Sequence, residues 1–180
     1  MDFSSNARDG YGTDWPVRYK DMKPWYDYVE EFVGVSGTLE GMEQLPDGIF
    51  LPPIGFNCAE EEFGRRIGNT YNDRRLIPGR CAHLTEPKPI HTDLGRGTCQ
   101  SRNQCQRGCS LGAYFSSQSA TLPAAKRTGN LTIITDSIVD SIIYDPKNKK
   151  ASGVRVIDSR TNITTTYNAK VIFLCASTLG

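Results

Sequence analysis

The last fifty residues constrain the fold of this chain more than any other stretch. Between 130 and 180, β-branched and aromatic residues gather into runs at 131–135, 138–144, 153–158 and 161–167, parted by turns. Such residues suit a pleated, half-buried surface, so each run is predicted as a strand. Asp145-Pro146-Lys147-Asn148-Lys149-Lys150 is the turn between the second and third. Ala169-Lys170 then leads into Val171-Ile172-Phe173-Leu174-Cys175-Ala176, an unbroken apolar run. A strand covered on both faces reads this way, and such strands belong to parallel sheets of α/β domains. A buried parallel strand normally passes to a helix and a ligand-facing loop. The sequence is therefore expected to be interrupted in mid-domain at Gly180.

Ahead of the strands the pattern is helical and loop-rich. Met1 to Asp14 is polar, and order there is expected only through contacts with other parts of a larger protein. Trp15-Pro16 sets an extended entry, since the residue before proline is steered from the helical region. Met22, Trp25, Tyr26, Val29, Phe32 and Val33 recur at three and four residues, which predicts an amphipathic helix with Asp21 as N-cap and Gly34 and Gly37 past its end. Pro24 fits its first turn, and the aromatic side is expected to pack. Pro46-Asp47-Gly48 marks a turn. A short helix is expected over 60–67, with Glu61 and Glu62 placed to pair with Arg65 and Arg66. Residues 34–97 otherwise read as loop. Residues 114–127 are predicted as a helix with a hydroxyl-rich start, kinked or restarted at Pro123 and ended by Gly129.

Composition excludes several classes of function. The formal net charge is +1, which leaves no electrostatic footprint for nucleic acid or an anionic membrane. No apolar run nears the roughly 20 residues of a membrane-spanning helix. The first residues have neither the basic nor the apolar region of a secretory leader, so the expected compartment is the cytoplasm. Six cysteines in 180 residues is not the density of a secreted disulfide scaffold.

Three groups of residues could carry chemistry. His83 and His91 are the only histidines, and neither lies near a recognisable Ser or Cys nucleophile motif. Cys99, Cys105 and Cys109 follow a Cys-x5-Cys-x3-Cys spacing in a glycine-rich loop. Three thiols so close could share zinc or an iron–sulfur cluster, with Cys81, His83 or His91 as a fourth ligand. They could equally form one disulfide or stay as structural thiols, and the last two readings are favoured over metal. Gly-x-Gly-x-x-Gly, the turn that holds a dinucleotide pyrophosphate, does not occur.

Several stretches in order carry a family resemblance. "NLTIITDSIVDSIIYD", "KASGVRVID" and "YNAKVIFLCASTLG" resemble the flavin-binding segment of the glucose–methanol–choline (GMC) oxidoreductases. "GYGTDWPVRYKDMKPWYDYVEEFVGVSG" is similar to the family segment in which a Trp-Pro pair precedes a tyrosine-rich helix, and "CQRGCSLGAYFSSQSATLPAAKRTGNLTII" resembles the branch containing sugar and sugar-acid dehydrogenases. The resemblance implies an α+β chain. Residues 1–98 would form part of a loop-rich substrate-cap region, 99–129 a cysteine loop and helix, and 130–180 a β-meander and terminal strand of a partial FAD-binding domain. It implies FAD in the parent protein, hydride transfer from the CH–OH group of an alcohol, sugar or polyol, and an electron-acceptor subunit as a candidate partner. It puts the catalytic histidine beyond residue 180, which leaves His83 and His91 as structural or cavity-lining residues and this piece inactive alone. Val139 matches a valine whose main chain meets the adenine. Ala176 and Ser177 match a small-residue pair beside the pyrophosphate and ribose, although Ser177 replaces the usual glycine; the resemblance puts Thr178 and Gly180 in the same turn. Some dehydrogenases of this branch carry a three-iron cluster at a similar cysteine run, which is the less favoured reading of Cys99, Cys105 and Cys109.

Overall fold

The computed structural model describes residues 2–177. The chain separates into two compact units, Met1–Asn130 and Leu131–Gly180, and each is taken by itself.

The first unit opens on local structure where none was expected. Asp2–Ser4 is a 3-10 turn that runs into helix α1 (Ser5–Asp9). Arg18 fastens this start: its guanidinium donates to the carbonyls of Phe3 (3.0 Å) and Trp15 (2.7 Å) and pairs with Asp14. Helix α2 (Tyr19–Val33) begins two residues before Asp21. Asp21 is therefore not the N-cap; its carboxylate accepts the Arg18 N–H at 2.9 Å, the third-residue half of a capping box. The earlier start moves Pro24 out of the first turn, where it cannot donate to the Lys20 carbonyl. Trp25, Tyr28 and Val29 stay exposed, and no residue of α2 is fully buried. The aromatic side thus does not pack as expected, because the core of this unit lies beyond the helix's C-terminal end.

Helix α3 (Cys58–Thr70) is longer than the sequence pattern suggests because its cap lies outside the apolar period. Asn57 Oδ1 accepts the N–H groups of Ala59 and Glu60, both at 3.0 Å, and Glu60 returns to the Asn57 N–H at 2.8 Å. Glu62 alone pairs with Arg65 and Arg66, on an exposed face where such pairs contribute little. The predicted helix over 114–127 is split. Tyr114 instead bridges to His83, a single π-helical turn (Ser117–Thr121) follows, and the short helix after it (Leu122–Arg127) takes Pro123 into its first turn.

Leu51, Leu84 and Ala113 form the apolar centre of the first unit, with Cys99, Cys109 and Leu111 against it. So small a centre is laced by main chain. Ser36 N–H donates to Cys81 O (2.8 Å), Leu84 N–H to Ala113 O (3.0 Å), Cys99 N–H to Leu84 O (2.7 Å) and Phe115 N–H to Ala82 O (3.0 Å). Two buried basic side chains close the end of α2. His91, in a short turn of helix (Pro89–Thr92), accepts the Lys88 N–H at Nδ1 (3.0 Å), so its proton sits on Nε2 and is donated to Glu31 O at 2.7 Å. Arg96 donates from Nη1 to Phe32 O (3.4 Å) and from Nε to Gly112 O (2.9 Å). Carbonyls of a helix's last turn have no partner within the helix, and these two side chains supply one.

The second unit is a three-stranded antiparallel sheet in the order β1 (Ser137–Asp145), β2 (Lys150–Asp158) and β3 (Thr164–Asn168). Val139 stands opposite Val156, and Val156 opposite Thr165. The predicted turn forms: Asp145 Oδ1 accepts the N–H groups of Lys147 (2.9 Å) and Asn148 (3.2 Å). Two expected strands do not. Residues 131–135 and 171–176 pair with nothing among the described residues, and Val171, Phe173 and Leu174 are exposed. A strand exists only through a partner's hydrogen bonds, so apolar content alone does not make one. The expected buried parallel strand is absent from the described residues for that reason. The whole is an α+β chain.

Two outcomes follow for stability. Gly34 closes α2 at φ +81°, and a Cβ there would lie 2.1 Å from Leu84 Cδ2. Gly34→Ala should therefore cost about 2 kcal/mol or more, read as a lower urea midpoint with an unchanged slope. Burial, reinforced by the nearby Arg96 and Lys88 charges, holds the His91 imidazolium pKa below its ordinary 6.5, against the opposing Glu31 carbonyl. The unfolded chain then binds the proton more readily, so this contribution is complete above about pH 6.5 and is lost as pH falls toward the folded value. Unfolding free energy should decline below about pH 6.5 in the native chain, and His91→Gln should remove that part of the slope; parallel pH profiles would contradict the assignment.

Candidate functional site

The main-chain lacing around Leu84 brings the chemistry of the first unit to one place. Bonds from Leu84 to Cys99 and Ala113, and from Phe115 to Ala82, hold residues 82–84 between the two ends of the cysteine loop. Between those ends the chain turns sharply. Ser101 and Asn103 take left-handed backbone conformations (φ 52° each), and Cys105–Arg107 is a 3-10 turn. The result is a cavity of about 220 Å³ whose lining includes His83, Cys99, Cys105, Cys109, Leu111 and Ile54. Cys99, Cys105 and Cys109, singled out by their spacing, all line it.

Their electrostatics differ. Hydrogen bonding from the Tyr114 main chain, helped by Leu111, Ala113 and the charge of Arg102, holds the Cys109 thiol below its ordinary pKa against the opposing effect of burial. His83 Nε2 lies 3.6 Å from Cys105 Sγ and 3.9 Å from Cys81 Sγ, and its ring leans on Tyr114 with centroids 5.1 Å apart. All six cysteines are free thiols in the structure. Of the three suggested fourth ligands, His91 is spent, since both its nitrogens are hydrogen-bonded. Cys81 and His83 remain beside Cys105.

The donor set discriminates between metals. A single zinc ion needs its sulfurs about 2.3 Å from one point, hence about 3.8 Å from each other. No group of three His, Cys, Asp or Glu residues converges in this way among the described residues. An iron–sulfur cluster places its irons and sulfides between the cysteines and so accepts thiolates spread around a cavity. Three cysteines lining one cavity fit a cluster better than a lone ion.

The predicted flavin contacts all fall in the second unit. Val139 lies on β1, the edge of the sheet, where the strand's outer side has no partner among the described residues. An open edge presents main-chain donors and acceptors, which is the kind of contact expected of Val139. The pairing shifts register between Val139 and Ser141, and the intervening Asp140 accepts from Arg155 Nε at 2.6 Å. Ala176 stands on a bend and Ser177 follows it, both exposed. Thr178 and Gly180 lie outside the described residues. An edge and a bend fit the periphery of a dinucleotide, while the glycine-rich turn for its pyrophosphate is missing from the sequence.

Sequence reasoning missed the His83–Cys105 approach and the buried Arg96. The first joins residues 22 apart through backbone bonds that leave no periodic signal. Arg96 lies between Gly95 and Gly97, where no periodic pattern marks a buried side chain. A second hollow, about 800 Å³, lies along α3 and is lined by Phe63, Ile67, Tyr71, Arg74, Arg75 and Ile77 among others. Arg75 is paired there with Glu40 at 3.0 Å, and Arg74 stacks on Tyr71.

Comparison with known proteins agrees with this distribution. The chain is 28% identical over its whole length to 2-methyl-1,2-propanediol dehydrogenase of Mycolicibacterium austroafricanum, matching 32% of that protein. It is 26% identical over 82% of its length to the fructose dehydrogenase large subunit of Gluconobacter japonicus, matching 26% of that protein. The chain thus spans about a third or less of these relatives. The family model described as GMC oxidoreductase matches residues 67–180, well over half of the sequence and both the cysteine loop and the sheet. The chain belongs to the GMC oxidoreductase family.

Proposed function

We propose that this chain is part of a FAD-dependent oxidoreductase that oxidises a CH–OH group of an alcohol, most suitably a sugar or polyol. The family match carries the reading, and the two relatives are named as dehydrogenases of a diol and of a sugar. When bound, FAD supplies the hydride acceptor. Within this chain, the open edge of β1 at Val139 would receive the adenine end through main-chain groups, and the bend at Ala176 and Ser177 would approach the pyrophosphate and ribose. The loop-rich first unit would contribute to the substrate cap.

Removing the hydroxyl proton requires a base, and neither histidine of this chain is placed for that role. His91 is buried with both nitrogens engaged, and His83 faces thiols. The family resemblance supports a catalytic histidine outside this chain, in the rest of the polypeptide. Residues 1–180 expressed alone should show no flavin-dependent turnover with any alcohol. Chromatography of the cofactor released from the denatured whole protein should yield FAD near one per polypeptide, and a whole protein without flavin would refute the reading.

A second feature is favoured by the shared cavity of Cys99, Cys105 and Cys109: an iron–sulfur cluster in the same protein. When bound, it would carry single electrons from the flavin site onward. A partner subunit that accepts them is consistent with one relative being named a large subunit. Iron and acid-labile sulfide should be present in the whole protein and fall sharply in Cys99→Ser, Cys105→Ser and Cys109→Ser. Iron-free native protein would leave these residues as structural thiols.

A further inference from the structure

His83 is held in place more firmly than a cavity-lining side chain requires. Its N–H donates to Cys81 O at 2.8 Å, its main chain bridges Tyr114, and its ring leans on the Tyr114 ring. Its Nδ1 is buried and has no hydrogen-bond partner among the described residues. A buried N–H without an acceptor costs about 1–3 kcal/mol, more than an idle lone pair on the same atom. The ring proton therefore belongs on Nε2, and the atoms in reach of Nε2 are Cys105 Sγ at 3.6 Å and Cys81 Sγ at 3.9 Å. A neutral thiol is a weak acceptor, whereas a thiolate is a good one. The geometry is thus arranged for a Cys105 that carries negative charge, as it does when it ligates iron.

We propose that His83 is a positioning residue for the iron–sulfur cluster: its Nε2–H donates to the Cys105 thiolate and raises the reduction potential of the cluster. This rests on the cluster reading given above. Hydrogen bonds to ligating sulfur stabilise the more negative, reduced state, so they move the potential upward. The same bond orients Cys105, which begins a 3-10 turn preceded by two left-handed residues. His91, with both nitrogens occupied elsewhere, provides an internal comparison.

The test uses the purified whole protein, with iron content, a redox titration followed by electron paramagnetic resonance, and pulsed resonance of protein carrying [15N]histidine. Native protein should contain iron and show a weak 15N coupling from one histidine to the cluster spin. His83→Phe should keep its iron, lose that coupling and titrate at a lower potential; His83→Gln, whose amide can reach the same sulfur, should restore most of the shift. Iron-free native protein would overturn the cluster reading and this inference together. Iron present with no histidine coupling, or with a coupling strong enough for direct ligation, would overturn the inference alone. The labelled native protein decides this even if His83→Phe fails to fold. An unchanged potential in an iron-replete His83→Phe would also contradict it.

Discussion

The structure of the first unit depends on the hydrogen bonds that residues 82–84 make to the two ends of the cysteine loop. Leu84 donates to Ala113 and accepts from Cys99, while Ala82 accepts from Phe115. Each such bond contributes only about 1 kcal/mol net, yet leaving one buried group unpaired costs as much or more. Together they bury Leu84 completely and place His83 over the cavity between the loop's ends. The adjacent side chains follow from this frame. His91 and Arg96 receive the last carbonyls of α2, and Gly34 lets the chain leave the helix past Leu84.

Buried polar groups do in this unit what apolar volume does in a larger core. Arg96, His91 and Ser36 are as enclosed as Leu84. Burial opposes charge on both: His91 bonds as the neutral imidazole, while Arg96 bonds two main-chain carbonyls and leaves its buried Nη2 without a partner among the described residues. The second unit shows the complementary case. Val156 is its one well-buried large apolar side chain among the described residues, while Ile138, Val139, Tyr144 and Tyr167 remain exposed on the strands. Apolar surface on that scale marks a face that another layer covers in a complete protein. The relatives are about three times as long or more, which agrees with the proposal that such a layer belongs to the rest of the polypeptide.

Local signals in the sequence were readable where a side chain and its own neighbours decide the outcome. The Asp145 turn, the Gly34 helix end and the α3 region come from such short-range chemistry. Asp21 shows the margin of error: a residue suited to capping served at the third position, because Arg18 offered the N–H it accepts. Long-range partners were not readable. The run at 171–176 has the composition of a buried strand but no neighbour among the described residues to define it as one. His83 and Cys105 meet only because the backbone around Leu84 folds 99–113 back on itself. The cysteine spacing pointed to a shared location, and the structure supplies the cavity. It could not say which histidine would face it.

The central claim is that the protein containing this chain oxidises an alcohol with a bound flavin. Anaerobic mixing of the whole protein with a panel of diols, polyols and sugars, followed by optical spectroscopy, tests this most directly. The account expects at least one of them to bleach the oxidised flavin bands near 450 nm, within seconds and in proportion to the substrate added. A whole protein whose flavin is untouched by every member of the panel, yet is reduced by a chemical reductant, would contradict it.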